Sequence, residues 1–270
     1  MDPDLDEGDA MSRATYLYCL MRAAAAPPLA EAPPGVPGAG PVRLLPVDEG
    51  LWLAAADVPL AGYGSEEIRR GLQDLSWVSE RALPHEAVVE HFARFGAIVP
   101  LKLFTLFNSD ERALAHVRDD RGRLDRALDR TAGRAEWGVR IRFDESRAQE
   151  VAAAEAKAAG GDGKGTGTHF LLRKKMEQEA SRTLSARLRA EADEAFAELA
   201  AEAAEAVRRE APTPEAGARM LLDAAFLVPD SRAAEFEGVV ARCAERLAAR
   251  ACEVTLTGPW PPYHFIEEAR

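Results

Sequence analysis

The chain has 270 residues and is strongly acidic: 45 Asp and Glu side chains outnumber 34 Lys and Arg, giving a net charge of -11. Nucleic-acid surfaces need clustered basic residues, and a membrane helix needs about 20 consecutive apolar residues. The composition therefore argues against nucleic acid as the main partner and against a membrane span. The amino terminus has no basic stretch followed by an apolar one, and the three cysteines are an odd number. We therefore expect a cytoplasmic protein with reduced thiols.

The first part of the chain predicts an α+β domain of residues 15–134, behind an acidic disordered tail of residues 1–14. Five of the first nine residues are acidic, and such a segment buries little apolar surface. In chain order the domain has these predicted elements: a strand at 15–21, a hairpin around Asp48-Glu49-Gly50, a helix from Ser65 with Ile68, Leu72 and Leu75 inward, a helix through Val78–Phe92 with a kink or restart at Pro84, a central strand at 97–107, and a helix capped by Ser109.

The second part, residues 135–270, predicts another α+β domain. Residues 135–143 alternate between apolar and polar side chains, which is typical of a half-buried strand. A long helical pattern follows at about 168–210, then a strand at 219–228, a helix, and a last strand at 252–257. Helices that alternate with strands of one sheet indicate an α+β sandwich of the split β-α-β kind, so we place the domain boundary near residue 134.

The long helical pattern carries a narrow stripe of leucine and alanine, spaced in threes and fours. At about 1.5 Å per residue, such a helix would be roughly 60 Å long, which is more than one small sheet can cover. Part of the helix should therefore project or pair with another helix. We single out Leu184 and Leu188, on this stripe, as candidate contacts with a partner.

The segment "TLTGPWPPYHFIE" (255–267) places three aromatic side chains, Trp260, Tyr263 and Phe265, among or just beyond three prolines. Proline fixes φ and removes a backbone donor, so the segment predicts a rigid corner after the last strand. The corner either folds back to seal the end of the sheet or presents its aromatic rings to a partner, and the two roles are compatible. All three aromatic residues are therefore candidate partner contacts.

No pattern in the sequence predicts a catalytic, cofactor-binding or metal-binding residue. The glycine-rich segment 160–168 has Gly165 where a phosphate loop needs Ser or Thr, so a flexible linker is the better interpretation. The five histidines have no short metal-ligand spacing, and His85 lies on an apolar stripe, where a hydrogen-bonded core histidine is expected. Enzymatic function therefore has little support. A ligand- or cofactor-binding enzyme built on the sheet remains the alternative, and self-association through the 168–210 helix is a third hypothesis.

Five blocks in their order and spacing resemble the gas vesicle protein F/L family, from the opening "TYLYCLM" to the distinctive "LTGPWPPYHF" near the end. The three blocks between them are "HEAVVEHFARFGAIVPLKLFTLF", "AEWGVRIRF" and "THFLLRKK", and the last block opens with "MLLDAAFLVPDSRAAEFEGVVARC". The chain departs from the family in one place. Where the family usually has Pro-x-Arg-Phe-Gly before a threonine, this chain has Pro100-Leu101-Lys102-Leu103-Phe104 before Thr105.

The resemblance implies an accessory protein of gas vesicle assembly with two α+β domains, the C-terminal one a modified ferredoxin-like fold. Family members are thought to bind the small hydrophobic shell protein early in assembly, to limit its aggregation and to remain as minor shell components. The implied partners are the shell protein and other gas vesicle accessory proteins, and the implied location is the cytoplasm and the vesicle. The family has no attributed catalytic residues or cofactors, so none is carried over to this chain.

Overall fold

The computed structural model describes residues 13–144, 147, 167–210 and 218–266, with the side chains at 167–182, 185 and 218 outside the description. The predicted tail up to residue 12 and the glycine-rich segment up to residue 166 lie outside the described residues. The chain separates into two compact units. The first unit holds the residues up to Ala135 together with those from Trp260 onward, and the second holds Glu136–Pro259.

The first unit is built around one central strand. Its elements are β1 (Arg13–Arg22), β2 (Arg43–Asp48), β3 (Leu51–Pro59), α1 (Leu60–Tyr63), α2 (Ser65–Gly71), α3 (Leu75–Ala93), β4 (Ala97–Pro100), β5 (Leu106–Phe107), α4 (Asp110–Asp119) and α5 (Arg121–Thr131). The sheet order is β2-β3-β1-β4, and β5 also pairs with β1. The strand β1 begins at Arg13, inside the predicted tail.

Both faces of this sheet are covered. Tyr16, Tyr18 and Cys19 in β1 pack with Val88, Val89 and Phe92 of α3. On the opposite face, Leu17 and Leu20 pack with Val117, Leu124 and Leu128 of α4 and α5. Because both faces are buried, eight consecutive residues of β1 are buried, and the strand reads as a continuous apolar run.

The prediction of a central strand at 97–107 is wrong. These residues form two short strands, β4 and β5, which both pair with β1. Between them Thr105 donates its backbone N–H to the carbonyl of Lys102, at 3.1 Å, and Phe104 has a φ of +65°. This turn interrupts the strand, and an apolar composition alone does not reveal it. The hairpin prediction is confirmed: β2 and β3 are antiparallel, and Gly50 has a φ of +69° in the turn.

The helix predicted from Ser65 is shorter than expected. It ends at Gly71, and Asp74 begins α3 by accepting hydrogen bonds from the backbone N–H groups of Ser76 and Trp77. Leu72 and Leu75 therefore lie at the junction and are exposed, so their predicted inward placement is wrong. The helix α3 runs through Pro84 without restarting.

The second unit has the strand–helix–strand–strand–helix–strand order of a ferredoxin-like fold. Its elements are β6 (Arg134–Asp144), α6 (Gly167–Glu202), β7 (Glu205–Arg208), β8 (Ala218–Pro229), α7 (Ala233–Ala248) and β9 (Cys252–Trp260), of which β6 starts and β9 ends just outside the unit. The sheet order β7-β8-β6-β9 confirms the predicted α+β class and its split β-α-β arrangement. One side of the sheet packs against Leu188, Ala195 and Leu199 of α6 and Phe236, Val240 and Leu247 of α7.

The long helix was predicted to continue to about residue 210, and this is wrong. The helix α6 ends at Glu202, and the next residues form β7, which pairs antiparallel with β8 and sets Ala206 opposite Phe226. Ala204 also donates its backbone N–H to the carbonyl of Leu227, at 2.8 Å. The alanine- and glutamate-rich sequence favours a helix locally, but strand pairing decides the structure here.

Candidate functional site

The aromatic corner belongs to the first unit, where it closes the core. Phe265 is buried, and the half-buried Tyr263 packs against the cluster that contains Tyr16 and Phe92. The Tyr263 hydroxyl donates a hydrogen bond to the Glu86 carboxylate at 2.6 Å. Burial, reinforced by the neighbouring Glu86 carboxylate, raises the pKa of Tyr263, so the hydroxyl keeps its proton and remains a donor.

The corner nevertheless leaves one aromatic side chain accessible. Trp260 is 41% exposed, whereas Phe265 has almost no accessible surface. Pro261 and Pro262, directly before Tyr263, are buried as well. The burial of Phe265 fits the sealing role expected of the corner, and the hypothesis of a partner contact is restricted to Trp260 and the half-buried Tyr263.

The two leucines singled out in the long helix differ in the same way. Leu188 is fully buried in the core of the second unit, with Ala192, Ala195 and Leu199. Leu184, one turn earlier, is 39% exposed. Because a buried side chain offers no contact surface, we restrict the partner-binding hypothesis for this helix to Leu184.

Three buried or backbone polar groups of the first unit form a hydrogen-bonded network around His85. Its Nδ1 accepts a hydrogen bond from the Tyr16 hydroxyl at 2.9 Å, and its Nε2–H donates to the Leu101 carbonyl at 3.2 Å. The Tyr16 hydroxyl in turn accepts the backbone N–H of Phe104. Burial lowers the pKa of His85 to about 4, so the ring is neutral at neutral pH. This confirms the interpretation of His85 as a core histidine.

Phe104 occupies the position where the family resemblance places a glycine, and it has a left-handed backbone conformation with a φ of +65°. Glycine adopts this conformation freely, whereas a residue with a Cβ atom pays about 1–2 kcal/mol. The ring of Phe104 packs against Trp77, with ring centroids 5.3 Å apart. The contact with Trp77 offsets the backbone strain.

Charged groups on the second unit's sheet are paired with one another. The buried Asp223 accepts a hydrogen bond from Arg140 Nε at 3.1 Å and from Arg209 Nε at 2.6 Å. These three residues hold together the sheet face opposite α6 and α7. Within the described ranges, no group of three His, Cys, Asp or Glu side chains is arranged to hold a metal ion.

The three cysteines are buried and reduced. Burial raises the pKa of Cys19, and it raises the pKa of Cys243 and of Cys252 to about 11, so these thiols are protonated at neutral pH. Across the part of the chain that the structure describes, none of the helices combines the length and hydropathy needed to cross a membrane.

Sequence reasoning did not identify the outward side of α3. Leu75 was expected inward and Leu83 received no role, yet both are strongly exposed. The available signal was Asp74, an N-cap residue whose helix start changes the face on which Leu75 lies.

Two compact units, one of them a ferredoxin-like sheet, define this chain as an α+β protein, and several of its large apolar side chains are exposed. Comparison with known proteins identifies the family within this class. A model of the gas vesicle synthesis protein GvpL/GvpF family matches residues 14–267. Gas vesicle protein L of Streptomyces sp. (strain CB03234) is 30% identical over 267 residues, covering 94% of this chain and 92% of that protein. This chain belongs to the GvpL/GvpF family.

Solved structures support the fold. The crystal structure of GvpF from Anabaena sp. PCC7120 is similar, with a TM-score of 0.68 and 19% identity, over 96% of this chain and 100% of that one. GvpF from Microcystis aeruginosa has a TM-score of 0.65 and 17% identity, over 94% of this chain and 99% of the other.

Proposed function

We propose that this chain is an accessory factor of gas vesicle assembly that binds the small hydrophobic shell protein early and limits its aggregation. The observation that carries the proposal is membership of the gas vesicle family over nearly the whole chain. We include in the proposal that the protein acts in the cytoplasm and on the vesicle, alongside other accessory proteins, through binding and not through catalysis.

Physical chemistry supports this role. A shell subunit that buries large apolar faces in an array is prone to aggregate before it assembles. An acidic protein of net charge -11 keeps a bound complex dispersed through charge repulsion. Accessible apolar side chains, such as Trp260 and Leu184, can contact a partner while the buried cores of the two units stay intact.

The proposal is tested by co-expressing the chain with a gas vesicle shell protein and measuring how much shell protein stays soluble and co-purifies. We expect the wild-type chain to raise the soluble fraction, and Trp260→Ala and Leu184→Ala to weaken co-purification. Leu29→Ala is the matched control, because Leu29 is 42% exposed, close to the 41% of Trp260. Shell protein that is equally insoluble with and without the chain would contradict the proposal.

A further inference from the structure

The helix α3 presents an apolar side to solvent. Leu75 and Leu83 are 81% and 72% exposed, the two highest values among the large apolar side chains of the described residues. They are eight residues apart, a little over two helical turns and about 12 Å, so they lie on the same side of the helix. Ser79 and Ala82, two small residues, stand between them in the helix.

Acidic groups flank these two leucines. Glu80 and Glu90 lie three residues before and seven residues after Leu83, spacings that place them around it on the helix surface. The only Lys or Arg of α3 is Arg81. Its guanidinium is turned onto the Trp77 ring, 3.8 Å from the centroid, and reaches Glu80 only at 3.8 Å. The outward side of α3 is therefore apolar and negatively charged.

The aromatic corner is anchored beside the same surface. The Tyr263 hydroxyl bonds to Glu86, which is one turn after Leu83. This bond fixes the segment that begins with the exposed Trp260 next to the C-terminal half of α3. We call the set of Leu75, Ser79, Glu80, Ala82, Leu83 and Glu90 the α3 face.

We propose that the α3 face docks a basic amphipathic helix of the gas vesicle shell protein. Apolar residues of that helix would pack between Leu75 and Leu83, and Lys or Arg residues would lie beside Glu80 and Glu90. An amphipathic helix is the partner that fits two exposed apolar anchors about two turns apart with only small residues between them. The charge of the face selects a basic helix over an acidic one. This inference rests on the proposed function and adds the surface and the chemistry of the partner.

The test measures binding of the purified full-length chain to a shell protein fused to a soluble carrier. The double variant Leu75→Ser/Leu83→Ser should weaken the Kd by about tenfold or more, since interface energy concentrates in central apolar anchors. The matched control is Leu29→Ser/Leu72→Ser, two exposed leucines of the same unit outside the α3 face. The control should bind like wild type. Circular dichroism and thermal unfolding of all variants establish that they are folded.

A second variant tests the charge. Glu80→Gln/Glu90→Gln should weaken binding severalfold at low salt and make the Kd less dependent on salt concentration. Wild-type affinity in the leucine variant, or an unchanged salt dependence in the glutamine variant, would overturn the α3 proposal and leave the proposed function intact. A wild-type chain that does not bind the fusion would overturn both. If the leucine variant instead abolishes self-association of the chain in sedimentation velocity, the face binds a second copy and the proposal is wrong.

Discussion

His85 makes the stability of the first unit depend on pH. Its ring is buried between Tyr16 and Leu101. In the neutral ring, Nδ1 accepts one hydrogen bond and Nε2–H donates the other. A proton on Nδ1 would break the hydrogen bond from Tyr16 and place a charge in the core. The unfolded chain binds that proton readily, whereas the folded chain resists it. Acidification therefore favours unfolding, and the first unit should lose stability as the pH falls.

The magnitude follows from the two pKa values. The pKa of His85 falls from an ordinary value of 6.5 to about 4 on folding. One pH unit between the pKa values corresponds to about 1.4 kcal/mol, so the full effect is about 3 kcal/mol. The free energy of unfolding should be highest above pH 6.5 and decrease down to pH 4. Between pH 7 and pH 5 the decrease due to His85 is about 2 kcal/mol.

Urea unfolding at pH 7 and pH 5 measures this effect, followed by tryptophan fluorescence, because Trp52, Trp77 and Trp260 all lie in the unit that contains His85. The variant His85→Gln should be less stable at pH 7 but should lose about 2 kcal/mol less than wild type on acidification. His116→Gln is the control, since His116 is an exposed histidine of the same unit. The reasoning is refuted if His85→Gln shows the same pH dependence as wild type.

Three further variants test separate parts of the structure by urea unfolding. Phe104→Gly should be about 1 kcal/mol more stable than Phe104→Ala, because both lose the ring but only glycine relieves the left-handed backbone; equal stabilities would argue against strain. Tyr263→Phe should cost about 1–2 kcal/mol by removing the donor to Glu86, and a neutral effect would mean that the bond contributes nothing. Asp223→Asn should destabilise the second unit by about 2 kcal/mol, which is less than for a fully buried ion pair because the two arginine partners are partly exposed. If the variant is as stable as the wild-type chain, the ion pairs of Asp223 do not stabilise the unit.

Periodicity was sufficient to predict the strands that have clear alternation or a long apolar run. The strand β1, the hairpin of β2 and β3, and the strands β6 and β8 occur where the pattern places them. The strand β9 occurs as well, but it continues through Pro259 to Trp260, beyond its predicted end at residue 257. The strand β7 was missed because its sequence, Glu205–Arg208, is short and follows a helix-favouring stretch. Its conformation depends on pairing with β8, a tertiary interaction that a local pattern does not contain.

The candidate surfaces were predicted less completely than the fold. The sequence identified the aromatic corner but left open whether it seals or binds, and only the structure separates the buried Phe265 from the exposed Trp260. A helical stripe does not show which of its turns is covered, so Leu184 and Leu188 could not be distinguished. The exposure of Leu75 depends on where α3 begins, and helix boundaries are the least certain part of a sequence-based prediction.

The central claim is that this chain acts by binding the shell protein before it assembles. The most direct measurement dilutes shell protein from denaturant and follows its aggregation by light scattering, with increasing amounts of the folded chain. The account predicts that scattering falls in proportion to added chain until a fixed molar ratio is reached, and that Leu75→Ser/Leu83→Ser suppresses it less. Scattering that stays the same at every ratio, with the wild-type chain shown to be folded, would contradict the account.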